Sequence, residues 1–73
     1  MTKAHDVNLV RRRRAELELT LEKVSERMGG VSLSLLNNVE HGFVPKEARQ
    51  VQIAAALETT PDLLWPDEWE KTP

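Results

Sequence analysis

Residues 20–42 read TLEKVSERMGGVSLSLLNNVEHG, and this stretch decides the fold. Leu21, Val24 and Met28 recur at spacings of three and four, the period of a helix with one buried face. Thr20 stands where a hydroxyl can accept a hydrogen bond from a free N–H of the first turn, and Glu22 suits the positive end of the helix dipole. Gly29-Gly30 then stops this helix, because glycine enters the left-handed conformation that ends helices. Ser32 opens a second helix, predicted from Leu33 to Glu40, with Leu36 and Val39 as its inward pair and Gly42 as its stop.

Working outward, Asp6 is a candidate N-cap for a first helix predicted from Val7 to Glu18, with Val10, Arg14 and Leu17 toward one face. On the other side, Pro45 stands where a fourth helix begins, with a fixed φ and no N–H to lose. Val51, Ile53, Ala54 and Leu57 are the expected core face of that helix. Thr60-Pro61-Asp62 predicts a short fifth helix from Pro61 to Trp65, broken by Pro66, with Asp67 onward as a turn or frayed tail. No stretch alternates polar and apolar residues, so strands are not expected. The expected fold is all-α: a compact bundle of about five short helices in one domain, 1–73, with a core over about 7–65 and a tail at 66–73.

Seventy-three residues leave no room for a second domain. A chain this short buries only about 60% of its unfolded surface, so a further staple is expected. With no cysteine there is no disulfide, and His5 and His41 do not make a structural metal site. Dimerisation is the expected staple. The sequence has no apolar run long enough for a membrane span and no signal-peptide pattern at its N-terminus, so a cytoplasmic location is expected. The net charge of −2 at first argues against a nucleic-acid partner. Residues 58–73, however, hold five acids against Lys71, a net of −4, which leaves +2 on the first 57 residues. The acidity belongs to the tail, and the body, led by Arg11 to Arg14, is mildly basic.

Two short helices joined by a glycine-containing turn can project the second into a DNA major groove about 12 Å wide. At Val24-Ser25, Gly30-Val31-Ser32, Leu36, Val39-Glu40-His41-Gly42, Ala54, Leu57 and Thr60-Pro61-Asp62-Leu63-Leu64 the sequence resembles the lambdoid-repressor and Cro-like helix-turn-helix family, over roughly residues 9–65. The run from Ile53 to Pro61 followed by Trp65-Pro66 also looks like the Ner-type regulators of Mu-like phages.

The family resemblance implies an ion pair between Arg14 and Glu40, and the physics agrees, since a buried arginine needs a bidentate acceptor. Family position places Ser32, Leu33, Ser34, Asn37 and Asn38 at base edges. Asparagine pairs bidentately with adenine, serine reads either base type, and Leu33 can touch only a thymine methyl. Arg11, Arg12, Thr20 and Lys46 are the expected phosphate contacts. Arg11 to Arg14 are spread around the helix at about 100° per residue and so do not form one patch. Three departures from the family pattern stand out. Leu21 replaces a polar residue at the start of the second helix, one residue is inserted before the third, and the proline after Gly42 arrives one residue early.

Other readings stay open at this point. Asn37 and Asn38 also suit a plain solvent-facing surface, and Leu21, Leu33 and Leu35, taken as exposed, suit a partner protein. Trp65 is expected to cap the core from the fifth helix, with a dimer contact as its alternative, and Phe43 and Val44 fit either a staple on the core or the same interface. Catalysis is not expected, for want of a cysteine nucleophile, a phosphate-cradling loop, metal-ligand spacing or volume for a substrate pocket. His41 suits the negative end of a helix dipole better than the role of a base. No cofactor is implied. The function expected is a transcriptional regulator, most simply a repressor, that binds double-stranded DNA as a homodimer. The alternative is an interaction module on the same scaffold, such as an antitoxin or co-regulator.

Overall fold

Four helix ends in this chain share one backbone motif, and it sets the length of each helix. The computed structural model describes residues 9–69. In chain order the helices are α1 (Leu9–Glu16), α2 (Leu21–Arg27), α3 (Leu33–Glu40), α4 (Glu47–Ala56), α5 (Pro61–Leu64) and α6 (Pro66–Trp69). At the end of α2, Gly30 N–H donates to Ser25 O at 2.8 Å and Gly29 N–H to Glu26 O at 3.0 Å. At the end of α3, Phe43 donates to Asn38 O and Gly42 to Val39 O, at 3.0 and 3.1 Å. Both are Schellman closures, in which a left-handed residue turns the chain back onto the last carbonyls. Gly29 (φ 87°) and Gly42 (φ 112°) fill that position.

α1 and α4 close in the same way, but on glutamates. Leu19 N–H donates to Arg14 O and Glu18 N–H to Ala15 O, while Thr59 and Glu58 donate to Ala54 O and Ala55 O. Glu18 (φ 57°) and Glu58 (φ 58°) are the left-handed residues. The helix predicted to reach Glu18 therefore ends at Glu16. A glutamate in this conformation gives no local signal of a helix end, which is why the helix is two residues shorter than its sequence suggests. Asp6 and Val7, the predicted start, lie outside the described residues.

The start signals stand where the sequence placed them. Thr20 Oγ1 accepts from Lys23 N–H, and Ser32 Oγ from Leu35 N–H. Pro45, by contrast, was expected at the start of α4 and stands two residues before it, with Lys46 as N-cap. At the C-terminal end, α5 stops at Leu64, leaving Trp65 as its cap. Pro66 then opens a helix rather than merely breaking one, so the expected turn or frayed tail is in fact α6 over Pro66–Trp69. A proline at the first helical position has no N–H to lose, and Asp67 and Glu68 favour the first turn electrostatically.

The core is Val10, Val24, Leu36, Val39, Ile53, Ala54, Ala56, Leu57 and Leu64, one cluster drawing on α1 to α5. Leu17, Leu21, Met28, Leu35 and Trp65 are half-buried against it. The expected exposure of Leu21 and Leu35 is thus corrected, and of that trio only Leu33 stands out, 42% exposed. Val51 is corrected the other way: it is 48% exposed, and Gln50 is buried in its stead. On α4 the inward positions are 50, 53, 54 and 57, spaced at three and four residues, and Val51 lies about 100° off that stripe. A second surprise closes α4. Arg13 Nε donates to Leu57 O at 2.9 Å and its Nη2 to Glu58 O at 3.1 Å. Arg27 Nη1 donates to Ala56 O at 2.9 Å and pairs with Glu58 Oε2 at 3.0 Å. Two cations from α1 and α2 thus hold the negative end of α4.

Candidate nucleic-acid interface

What α3 can present depends on how it is held. Its inward side, Leu36 and Val39, is fully buried. Its C-terminal end is fixed by Glu40, whose Oε2 and Oε1 accept from Arg14 Nε and Nη2 at 2.5 and 3.1 Å. The remaining Arg14 nitrogen donates to Leu19 O at 2.7 Å. One guanidinium therefore ties α1, the α1–α2 turn and α3 together. The side chains are only 22% and 7% exposed. The hydrogen bond to Glu40 raises the Arg14 pKa above its ordinary value, against the opposing pull of burial and with the help of the Glu40 charge. Arg14 therefore stays charged throughout the neutral range. The expected ion pair is present, in bidentate form.

At the other end, the turn between α2 and α3 is held by Ser25, whose hydroxyl donates to Val31 O at 2.5 Å. Between the Gly29 closure and the Ser32 cap the turn consists of Gly30 and Val31.

With its inner side so fixed, α3 turns a polar stripe outward. At about 100° per residue, Ser34, Asn37, Asn38 and His41 lie opposite Leu36 and Val39, and all four are exposed. Leu33 flanks this stripe on one side and Leu35, leaning on the core, on the other. Ser32 stands at the helix start with its oxygen engaged in the cap at 3.4 Å, which leaves its O–H free to donate elsewhere. His41, expected only as a dipole partner, belongs to the outward stripe as well. Its Nδ1 lies 2.7 Å from Asn37 O, so that nitrogen carries the proton and the ring sits on the outward stripe with Nε2 directed away from this bond. Its i, i+4 spacing from Asn37 was the available signal.

The expected phosphate residues are arranged less uniformly. Arg11, Arg12, Thr20 and Lys46 are all exposed. Arg12 lies 3.9 Å from Glu16, both side chains more than half exposed, a pairing too solvated to hold the arginine back from another anion. Thr20 is occupied as an acceptor by Lys23 N–H at 3.1 Å, with its own proton still to donate. Lys46 ends the segment that follows α3, and the α4 start has no side-chain cap bond. Glu22 and Glu47 stand in the first turns of α2 and α4 and repel a phosphate there. Arg13, the third member of the arginine run, serves α4 as a structural cap.

Among the described residues no group of three or more His, Asp or Glu is placed to hold a metal ion, and no helix is long and apolar enough to cross a membrane. A family model described as helix-turn-helix matches residues 10–64, about three quarters of the chain. No curated protein and no solved structure matches it.

Proposed function

From the premise that the chain belongs to the Cro/C1-type helix-turn-helix family of DNA-binding regulators, we propose that it is a repressor that binds a pseudopalindromic operator as a homodimer. Two copies of α3 would enter successive major grooves about 34 Å apart on one face of the DNA. Ser32, Leu33, Ser34, Asn37 and Asn38 supply the base preference: the asparagines to adenine edges, the serines to either base type, Leu33 to a thymine methyl. Arg11, Arg12, Thr20 and Lys46 touch phosphates, which set register and carry the salt-sensitive part of the affinity.

The observation that carries this reading is the division of α3. Its inner side is locked by Leu36, Val39 and the Arg14–Glu40 pair, and its outer side offers hydrogen-bonding groups with no core role. A rigid helix with an uncommitted polar face is what base reading needs.

Dimerisation draws on a different patch. Phe43, Val44 and Leu63 are 53%, 45% and 63% exposed, and the first two line a groove with Leu9, Leu64 and Trp65 that Asp67 and Glu68 border. The same patch also suits a partner protein, the second reading. Sedimentation of the chain alone separates the two: a dimer at micromolar concentration supports the first, and a monomer that still binds DNA weakly favours the second.

Titration with the DNA upstream of its own gene and with random DNA, at two salt concentrations, tests the function. Tight, sequence-preferring binding with a steep salt slope is expected. Binding that is weak and blind to sequence would refute it.

A further inference from the structure

Gln50 is 1% exposed, the only polar residue among the buried side chains of the described chain. Its position on α4 belongs to the core stripe, where an apolar side chain would pack without needing partners. Both ends of its amide are engaged. Nε2 donates to Pro45 O at 2.8 Å, and Oε1 accepts from Trp69 Nε1 at 2.5 Å. The result is a single relay, indole N–H to amide to backbone carbonyl, in a setting where each bond strengthens the next. It runs from the last residue of α6 to the segment between α3 and α4.

That segment, residues 43–46, is short, and at its far end Lys46 O accepts from Gln50 N–H at 2.9 Å. At its start Gly42 is left-handed and Phe43 N–H closes α3 on Asn38 O. Phe43 and Val44 are 53% and 45% exposed, so neither is anchored in the core. Pro45 is buried, and its carbonyl is the point at which the relay grips. Lys46, the next residue, is the proposed phosphate contact and the N-cap of α4.

We infer that Trp69 and Gln50 are positioning residues for DNA binding: α6 acts as a strap that, through the buried amide, sets the path of residues 43–46 and so the place of Lys46 beside the DNA backbone. The inference rests on the proposed DNA-binding function. Neither residue touches DNA. Each acts through the Pro45 carbonyl, and the indole N–H matters more than the ring. Phenylalanine at 69 keeps an aromatic ring and removes the donor. Leucine at 50 removes both bonds and fills the apolar slot, but it leaves the Pro45 carbonyl and the Trp69 N–H without this partner, so some loss of stability is expected.

The test is a double-mutant cycle on the intact chain. Wild type, Trp69→Phe, Gln50→Leu, Lys46→Ala and the two doubles with Lys46→Ala are titrated with a duplex selected from a random pool by the wild-type chain. Titrations are run at two salt concentrations, at a temperature where each protein is folded. Trp69→Phe and Gln50→Leu are each expected to weaken binding roughly three- to tenfold and to lower the salt slope by about one, the signature of one lost phosphate contact. In the Lys46→Ala background neither should cost anything further. A merely structural role would leave the salt slope alone, and Gln50→Leu would then bind as well as its stability allows. Wild-type affinity in both variants, or losses as large without Lys46 as with it, would overturn the inference alone. Failure of the wild-type chain to select any duplex would overturn the proposed function, and this inference with it.

Discussion

On the inner side of α3, Leu36 and Val39 are 2% and 1% exposed and Glu40 is locked to Arg14. On the outer side, Ser34, Asn37, Asn38 and His41 are all exposed on the same eight-residue helix and its cap. The two faces are built to opposite requirements. The inner face gains stability from burial and from a charge pair that tolerates no loss of partner. The outer face contributes little to folding, and its polar groups are free to be matched by something else. If that contrast is right, substitutions should separate cleanly, with stability lost on one face and DNA affinity on the other.

The largest effect is expected at Glu40. Glu40→Ala leaves the largely buried Arg14 guanidinium without its countercharge, with only Leu19 O still accepting, at a cost of about 3–5 kcal/mol. In a chain of this size that approaches the whole folding free energy. A melting curve reads it, and an unchanged midpoint would erase the claim that the inner face is locked by this pair.

Next comes the outer face. Asn37→Ala should leave the melting curve nearly unmoved and cost about 1–3 kcal/mol of affinity for a selected duplex, relaxing one position of the site. A loss of equal size on unrelated DNA would place Asn37 among the nonspecific contacts. Ser32 belongs to both sides of the comparison, as helix cap and proposed base contact. Ser32→Ala should cost about 1 kcal/mol of stability through the cap. Thermal melts and binding titrations of Ser32→Gly, which typically restores most of the cap, then show whether base reading is lost separately.

The smallest effect has the opposite sign. Glu18 holds a left-handed backbone that glycine adopts without strain, and among the described residues its side chain has no bond that a glycine would break. Glu18→Gly should raise stability by about 0.5–1 kcal/mol without changing DNA affinity. A destabilised Glu18→Gly would mean that the α1 closure is held by more than its backbone bonds.

These contrasts also show what was legible before the structure. Thr20, Ser32, Gly29 and Gly42 announce the bounds of α2 and α3 because caps and glycine closures are local chemistry, written within a few residues. The Arg14–Glu40 pair was legible through family resemblance. The features that were missed depend on distant partners. Nothing near Gln50 says that an indole nineteen residues on will satisfy it, and Val51, the apolar neighbour, looked the better core residue. Arg13 meets the end of α4 across 44 positions, and Arg27 across 29. Glu18 and Glu58 take a conformation that their identity does not advertise. At the candidate interface, the exposed positions of α3 were legible by period alone. Leu35 was misjudged because it lies on the flank of the helix, where packing by neighbours decides the outcome.

The division of α3 is tested most directly by Asn37→Ala/Asn38→Ala, titrated beside the wild type with a selected duplex and with a scrambled duplex of the same composition. The account predicts a native melting curve, a loss on the selected duplex of at least tenfold, and unchanged weak binding to the scrambled one. Undiminished preference for the selected duplex would contradict it, and would move the reading surface off the outer face of α3.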